Sequence, residues 1–425
     1  MNNALQELKW RGCVYDHTEG VEEALTEGPV TFYIGYDPTA DSLHVGSLLQ
    51  MMNMARMQRM GHHPIAVVGG GTGLIGDPSG KTKERQLLTL EQVEKNLAGI
   101  KGQLARFLDF DAADNPARIV NNYDWLGSIS FVDFLRDVGK YFTVNNMLAK
   151  ESVKRRIESE DGISFTEFSY SLLQAYDFLV LHDRYKCSMQ LGGSDQWGNI
   201  VAGGDLIRKL RSQKAFGLVS PLVTTATGVK FGKTEAGTIW LDPERTSPYR
   251  FYQFWLNTDD ADVINYLKYF TWLDQEQIAG LETALQERPH ERSAQKALAA
   301  AVTEVVHGAE ALSAAQRASE VLFGGDIEGL GAAEVADIFQ DVPSTEIAAS
   351  RFDGEGMQLA DLMVEVQACK SKGEARRLLQ GGGVSLNNRK WDDPNQGITR
   401  ADTIEGRFLV LRKGRKNYFL VKVLG

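Results

Sequence analysis

The stretch from Val30 to Val68 constrains the fold more than any other part of the chain. Val30-Thr-Phe-Tyr-Ile-Gly35 is short, β-branched and aromatic and ends in glycine, which reads as a buried strand. Asp41 or Ser42 then caps a helix running from Leu43 to Gly61, with apolar residues at Leu48, Met51, Met52, Ala55 and Met57. Pro64-Ile-Ala-Val-Val68 supplies the next strand. A strand, a helix and a second strand within about forty residues make a βαβ unit, because parallel neighbours need a crossover. A further helix at 89–108 and strands at Ala117–Asn121 and Met189–Gly193 extend the pattern. The expected fold class is α/β, with a Rossmann-like, doubly wound parallel sheet.

At 425 residues the chain exceeds what one core supports, since single cores stop growing near about 250 to 300 residues. The sheet pattern predicts a Rossmann-like domain over 1–222, followed by a mobile loop and connection over 223–246. From Ser247 the texture turns helical, which predicts an α-helical domain over 247–325. The glycines around Phe323 to Gly331, with Pro343 beyond, predict a linker region over 326–352. The last part, 353–425, reads as a small α+β domain: a helix over Glu374–Gln380, a break at Gly381–Gly383, and strands at Val384–Leu386 and Arg407–Leu411. From Lys370 onward 13 lysines and arginines face five acids, a balance of +8 in a chain whose net charge is −10. A basic module on an acidic body fits the anchoring of a polyanion, and the overall charge argues against a protein that coats nucleic acid nonspecifically.

Cys13, Cys187 and Cys369 lie far apart with no histidine at zinc-finger spacing, so neither a disulfide framework nor a metal site is expected. The first residues lack a basic segment followed by an apolar run, and no stretch approaches the ~18 apolar residues of a membrane span. A cytoplasmic protein with no membrane association is expected.

Three motifs bear on chemistry. Gly71, Gly73 and Gly76 fit a dinucleotide-binding GxGxxG, but Asp77-Pro78 follows at once, where that fold needs a continuing helix. Gly80-Lys81-Thr82 completes only half of a P-loop. These glycines read instead as a tight turn that lets the backbone approach a ligand. Thr39, His44 and Gly46 follow the first strand at the start of its helix, where exposed N–H groups favour phosphate. Lys230-Phe-Gly-Lys-Thr234 lies in a Thr- and Gly-rich segment whose lysines suit a triphosphate.

The pair Pro38-Thr-Ala-Asp-Ser-Leu-His-Val-Gly46 and Lys230–Thr234, about 185 residues apart, resembles the signature of class I aminoacyl-tRNA synthetases. Phe32 to Gly46, Gly73 to Lys81, Tyr170 to Asp177 and Gly192 to Asn199 narrow the resemblance to the bacterial tyrosyl branch. Gly373 to Asn387 is similar to the S4-type RNA-binding module that ends those enzymes. One position departs: the first signature is usually His-x-Gly-His, and here the fourth residue is Ser47, which can donate a hydrogen bond but carries no charge.

The resemblance implies a tyrosine-tRNA ligase acting on tyrosine, ATP with Mg²⁺ and tRNA(Tyr), with no tightly bound cofactor. In catalysis it implies Thr39, His44, Lys81, Arg85, Lys230, Lys233 and Thr234. For tyrosine it implies Tyr33 and Asp177 on the phenol, Asp77, Tyr170 and Gln174 on the amino group, and Gln196 beside them. Against ATP it implies Gly35, Asp37, His44, Gly46, Ser47, Gly193, Asp195 and Lys233. The tRNA grip falls on Lys372, Arg376, Arg377, Arg412, Lys413, Arg415 and Lys416, with Tyr418 stacking on a base. The apolar stretch from Phe131 to Met147, with Phe165, resembles the family's homodimer face. A tryptophanyl enzyme, a nicotinamide-dependent oxidoreductase on Gly71, Gly73 and Gly76, and a catalytically idle RNA-binding protein remain the alternatives.

Overall fold

Six strands form one sheet in the computed structural model: Asp16–His17 (β1), Thr31–Tyr36 (β2), His63–Val68 (β3), Arg118–Asn121 (β4), Met189–Gly193 (β5) and Phe216–Ser220 (β6). Residues 1–2, 80–87, 159–161, 227, 229–230, 235–236, 323–326, 328–329, 341, 392–395 and 415–416, and the side chains of Lys233, Thr234 and Asp337, lie outside the described structure. The spatial order is β1-β6-β5-β2-β3-β4, parallel except that β1 runs antiparallel to β6. From β2 the chain winds outward to β3 and β4, then crosses back to β5 and β6. The reversal falls between β2 and β5, which leaves a crevice at their carboxyl ends. Every residue of β3 from Pro64 to Val68 is buried, as expected of a strand covered on both faces.

The first crossover helix is Val45–Arg59, and its cap is neither Asp41 nor Ser42. His44 holds the extended capping conformation and its Nδ1 accepts the N–H of Gly46 at 3.0 Å. Ser42 instead donates to the Leu43 carbonyl at 2.7 Å and accepts from Gln103 at 2.8 Å, while Asp41 pairs with Arg245. At the other end of the helix, buried Arg56 donates to the carbonyls of Lys268, Tyr269 and Thr271 at 3.1, 2.8 and 2.9 Å. Those carbonyls end the helix Asp260–Phe270, where no intrahelical donor remains.

The chain divides into two compact units, Met1–Thr246 with Thr258–Val306, and Ser247–Asn257 with His307–Gly425. The helical domain expected at 247–325 is therefore shared out. Helices Asp260–Phe270 and Gln275–Glu287 belong to the first unit, held by Arg56 and by Arg11, which reaches the Leu273 carbonyl at 2.9 Å. Helices Pro248–Leu256 and Ala309–Leu322 belong to the second, joined by Gln253 donating to Ser319 at 2.9 Å. These long-range bonds carry no periodicity that a sequence displays.

Within the first unit, Lys233–Thr234 (β7) and Gly237–Thr238 (β8) form a two-stranded ladder. The second unit holds Ser344–Ala348 (β9), Met357–Gln358 (β10), Val384–Leu386 (β11), Arg389–Lys390 (β12), Gly397–Ile398 (β13), Phe408–Lys413 (β14) and Asn417–Leu424 (β15). Five of these make a sheet in the order β12-β11-β14-β15-β9, and β10 pairs with β13. The segment read as a linker, 326–352, is built into this unit instead. Its β9 runs parallel to β15, and its Val335 and Phe339 are fully buried. Glycine content misled here because the strand and the buried helix begin just after it.

Arg156 and Glu167 form a buried ion pair at 2.8 Å that fastens helix Glu151–Ile157 to the first turn of Phe165–Tyr185. Removing one partner strands a charge in the interior. Glu167→Ala should therefore lower stability by about 3–5 kcal/mol in chemical denaturation, and a loss below about 1 kcal/mol would show that the pair is not holding the helices.

Candidate active site

A cavity of about 600 Å³ opens in the crevice between β2 and β5. Tyr33, Gly35, Asp37, Thr39, His44, Gly46 and Ser47 line it from β2 and the turn and helix start behind that strand. Asp77 enters from the Gly-rich segment, and Gly193, Asp195 and Gln196 from the end of β5. Tyr170, Gln174 and Asp177 come from one face of helix Phe165–Tyr185, where spacings of four and three bring side chains together. Every expected tyrosine-site residue thus reaches one cavity. Lys81, Arg85 and Lys230 lie outside the described residues, as do the side chains of Lys233 and Thr234.

The floor of the cavity is polar and buried. Asp177 is buried and accepts from Asn122 Nδ2 at 2.9 Å and from Trp125 Nε1 at 2.7 Å. Burial, with a smaller push from the nearby Asp37, raises its carboxyl to about 7 against the pull of those two donors. Tyr33 is also buried, its ring set edge-on to Phe178 at 5.2 Å. Its hydroxyl has no hydrogen-bond partner among the described residues. Burial above all, then the charge of Asp177, holds that phenol well above its usual value. A buried hydroxyl without a partner is costly, so this one is poised for a ligand group. Gln190 stands opposite Tyr33 in the β2–β5 register, and its Oε1 is likewise unpaired among the described residues.

Higher in the cavity the carboxylates are held by neutral donors. Asp37 accepts from Thr72 Oγ1 at 2.9 Å and from Tyr170 Oη at 3.0 Å. A Cβ on Gly69 would stand 2.3 Å from that carboxylate, so glycine is required for Asp37 to sit there. Asp77 accepts from the Ser79 N–H at 2.8 Å and from Gln196 Nε2 at 2.7 Å. Lys150 faces Asp77: burial pulls its ammonium down to about 8 against that attraction, and its Nζ has no hydrogen-bond partner among the described residues.

The two signature segments meet at the backbone. Val45 N–H donates to the Ile239 carbonyl at 3.1 Å and Leu241 N–H to the Leu43 carbonyl at 2.9 Å, with the His44 and Trp240 rings 6.1 Å apart. A Cβ on Gly46 would fall 2.7 Å from the His44 ring, so here glycine first admits the capping histidine. The Lys233–Thr234 strand is thereby carried next to the positive end of the Val45–Arg59 helix.

Asn122, Trp125, Thr72, Gln190 and Lys150 were missed by sequence reasoning. Asn122 had a usable signal, since it directly follows β4 at the carboxyl edge where parallel sheets bind ligands. The others become functional only through contacts.

In the second unit the basic residues differ in what they face. Arg376 and Arg377 are exposed on helix Lys372–Gln380, and Lys372 pairs with Asp361 at 2.8 Å. Lys413 is bound to the Ala368 carbonyl at 2.7 Å and Glu374 at 3.3 Å, and Arg412 to Ser385 at 3.3 Å. Arg415 and Lys416 lie outside the described residues. Tyr418 is 5% exposed and donates to the Val321 carbonyl at 3.2 Å, so its ring is packed in the core and unavailable to stack on a base.

A doubly wound sheet with a histidine-capped helix and a partner lysine segment over one crevice describes a class I synthetase. Accordingly, the family tRNA synthetases class I (W and Y) matches residues 25–324, and the chain belongs to it. The Tyrosine--tRNA ligase SYY-like C-terminal domain matches residues 334–421. Within the class the likeness runs to the tyrosine--tRNA ligases. That of Roseiflexus castenholzii is 56% identical over 424 residues, covering 100% of both chains. That of Geobacillus stearothermophilus is 56% identical over 421 residues, covering 98% of this chain and 99% of its own. A C-terminally truncated mitochondrial tyrosyl-tRNA synthetase from Aspergillus nidulans superposes with a TM-score of 0.69 at 31% identity, covering 76% of this chain and 95% of that one. A tryptophanyl-tRNA synthetase from Encephalitozoon cuniculi shares only the fold, at 12% identity and a TM-score of 0.52, covering 73% of this chain and 87% of that one.

Asn122 and Trp125 hold the Asp177 carboxyl down against burial. Asn122→Ala should therefore move its midpoint above about 7 in a ¹³C NMR titration of labelled aspartate. A midpoint that stays or falls would mean that these donors do not govern its charge.

Proposed function

We infer that this cavity joins tyrosine to ATP as tyrosyl-adenylate, releasing pyrophosphate, and then passes the tyrosyl group to the 3′ end of tRNA(Tyr). The observation that carries this is the floor of the pocket, where an unpaired Tyr33 hydroxyl and a doubly anchored Asp177 sit together. A phenol hydroxyl satisfies both, accepting from Tyr33 and donating to Asp177. Phenylalanine would leave the Tyr33 hydroxyl unmet and bring no donor to Asp177, and unmet buried polar groups discriminate strongly. Asp77, Tyr170, Gln174 and Gln196 ring the place of the substrate's ammonium.

In the first step a tyrosine carboxylate oxygen bonds to the α-phosphorus and the bond to the β-phosphate oxygen breaks. This nucleophile is already ionised at neutral pH, so no general base is needed. Catalysis then rests on positioning and on stabilising charge as it spreads onto the phosphates. Thr39 and His44, at the capped positive end of the Val45–Arg59 helix, serve one side, and Lys81, Arg85, Lys230, Lys233 and Thr234 are assigned to the phosphates on the other. Each such donor is worth about 2.7–4 kcal/mol in a dry site. Gly35, Asp37, Gly46, Ser47, Gly193 and Asp195 border the nucleotide. Ser47 offers a neutral hydroxyl where relatives of this class often carry a second histidine.

Mg²⁺ would arrive on the ATP phosphates. Both oxygens of Asp37, Asp77 and Asp177 already accept hydrogen bonds, which fits a cation held by phosphates and water better than one caged by protein.

In the second step the terminal ribose hydroxyl of tRNA attacks the carbonyl and AMP leaves. Helix Lys372–Gln380, followed by the β11–β12 hairpin, supports an S4-like reading of the tail, and exposed Arg376 and Arg377 suit RNA phosphates better than the internally engaged Arg412 and Lys413. A homodimer is supported by exposed Phe131, Val132, Val144 and Phe165, which are 65%, 71%, 60% and 67% accessible.

Pyrophosphate exchange into ATP tests the substrate directly: exchange is expected with tyrosine, and exchange with tryptophan alone would overturn the reading. Arg376→Ala/Arg377→Ala should weaken aminoacylation, flatten its salt dependence and leave tyrosine-dependent exchange unchanged. An equal fall in both activities would remove the tail from tRNA binding.

A further inference from the structure

Helix Asp260–Phe270 lines no part of the cavity, yet three of its side chains converge on the segment leading into Lys230–Thr234. Asp262, Tyr266 and Phe270 are four residues apart and so share one helix face. The buried Asp262 carboxylate accepts the Ala226 N–H at 3.1 Å. Tyr266 Oη donates to the Thr224 carbonyl at 3.1 Å. The Phe231 ring meets Tyr266 edge-on at 4.9 Å and stacks on Phe270 at 5.5 Å, with 11° between planes. Phe231 is 5% exposed and Phe270 fully buried, so this contact is interior packing.

The helix is itself anchored. Arg56, in the last turn of Val45–Arg59, binds the carbonyls at its far end, and His44 caps the near end of Val45–Arg59. The two helices therefore form a continuous support from the histidine of one signature motif to the root of the other. Backbone groups near buried surface must find partners. At this root the Thr224 carbonyl and the Ala226 N–H are met by two replaceable side chains.

We propose that Asp262 and Tyr266 are positioning residues for adenylate formation: they fix, at Thr224 and Ala226, the root of the segment that carries the second signature motif. Neither touches substrate. The proposal rests on the reading of Lys230 and Lys233 as phosphate ligands. A displacement of about 1 Å at a reacting group can cost about 100-fold in rate, so a small slip at the root is enough to matter.

The test compares pyrophosphate exchange kinetics with the tyrosine Kd from equilibrium dialysis, in full-length variants whose folding is checked by thermal melts. Asp262→Ala should lower kcat by about 10- to 100-fold with tyrosine Kd within about twofold. Asp262→Asn keeps an oxygen to accept the Ala226 N–H and should recover to within about threefold of the parent. Tyr266→Phe keeps the ring against Phe231 and loses only the O–H, so kcat should fall about three- to tenfold at unchanged Kd. The proposal is overturned if Asp262→Ala and Tyr266→Phe both keep parental kcat, or if Asp262→Asn is as impaired as Asp262→Ala. Lys233→Ala is the control: if it leaves kcat unchanged, the reading of the lysines itself fails, whatever Asp262 does.

Discussion

The reversal of winding between β2 and β5 is the constraint on which the rest of the first unit depends. Because the chain leaves β2 toward β3 and returns on the other side to β5, the loops at these two carboxyl ends diverge and leave room between them. Much of the lining of that gap is carried by regular elements. Strand β2 brings Tyr33, the Val45–Arg59 helix brings its capped positive end, and helix Phe165–Tyr185 brings Tyr170, Gln174 and Asp177.

Within the gap the electrostatics change with depth. At the floor a carboxyl and a phenol share a buried space, and burial is why the Asp177 carboxyl is raised to about 7 and why the donors Asn122 and Trp125 matter. A charge kept marginal in this way responds strongly to a single added hydrogen bond. Higher up, Asp37 and Asp77 have their oxygens occupied by hydroxyl, backbone N–H and amide donors, which orients them without neutralising them. At the rim the amino end of the Val45–Arg59 helix supplies positive potential. A ligand with a phenol at one end, an ammonium in the middle and polyphosphate at the other fits this order.

Much of this was legible before any coordinates. The β2–helix–β3 unit emerged from periodicity within one or two residues of its observed limits, and Met189–Gly193 and Val384–Leu386 match strands residue for residue. The cap of the first helix was misplaced because Ser and Asp are the commoner capping residues, whereas here a histidine ring over Gly46 does the work. The short edge strand β1 and the long β15 were not read, the first because two residues show no alternation, and the parallel pairing of the second with β9 spans some seventy residues.

The sequence by itself determined the fold class, the family and many of the residues that line the cavity, because local periodicity and closely spaced motifs are encoded by neighbours along the chain. Only the tertiary structure decided which groups are charged, paired or left open. Trp125 and Asn122 reach Asp177 across more than fifty residues, Asp262 reaches Ala226 across 36, and Tyr418 turns inward to Val321. Burial and hydrogen bonding set the energy of a polar group, and both are properties of what surrounds it in space.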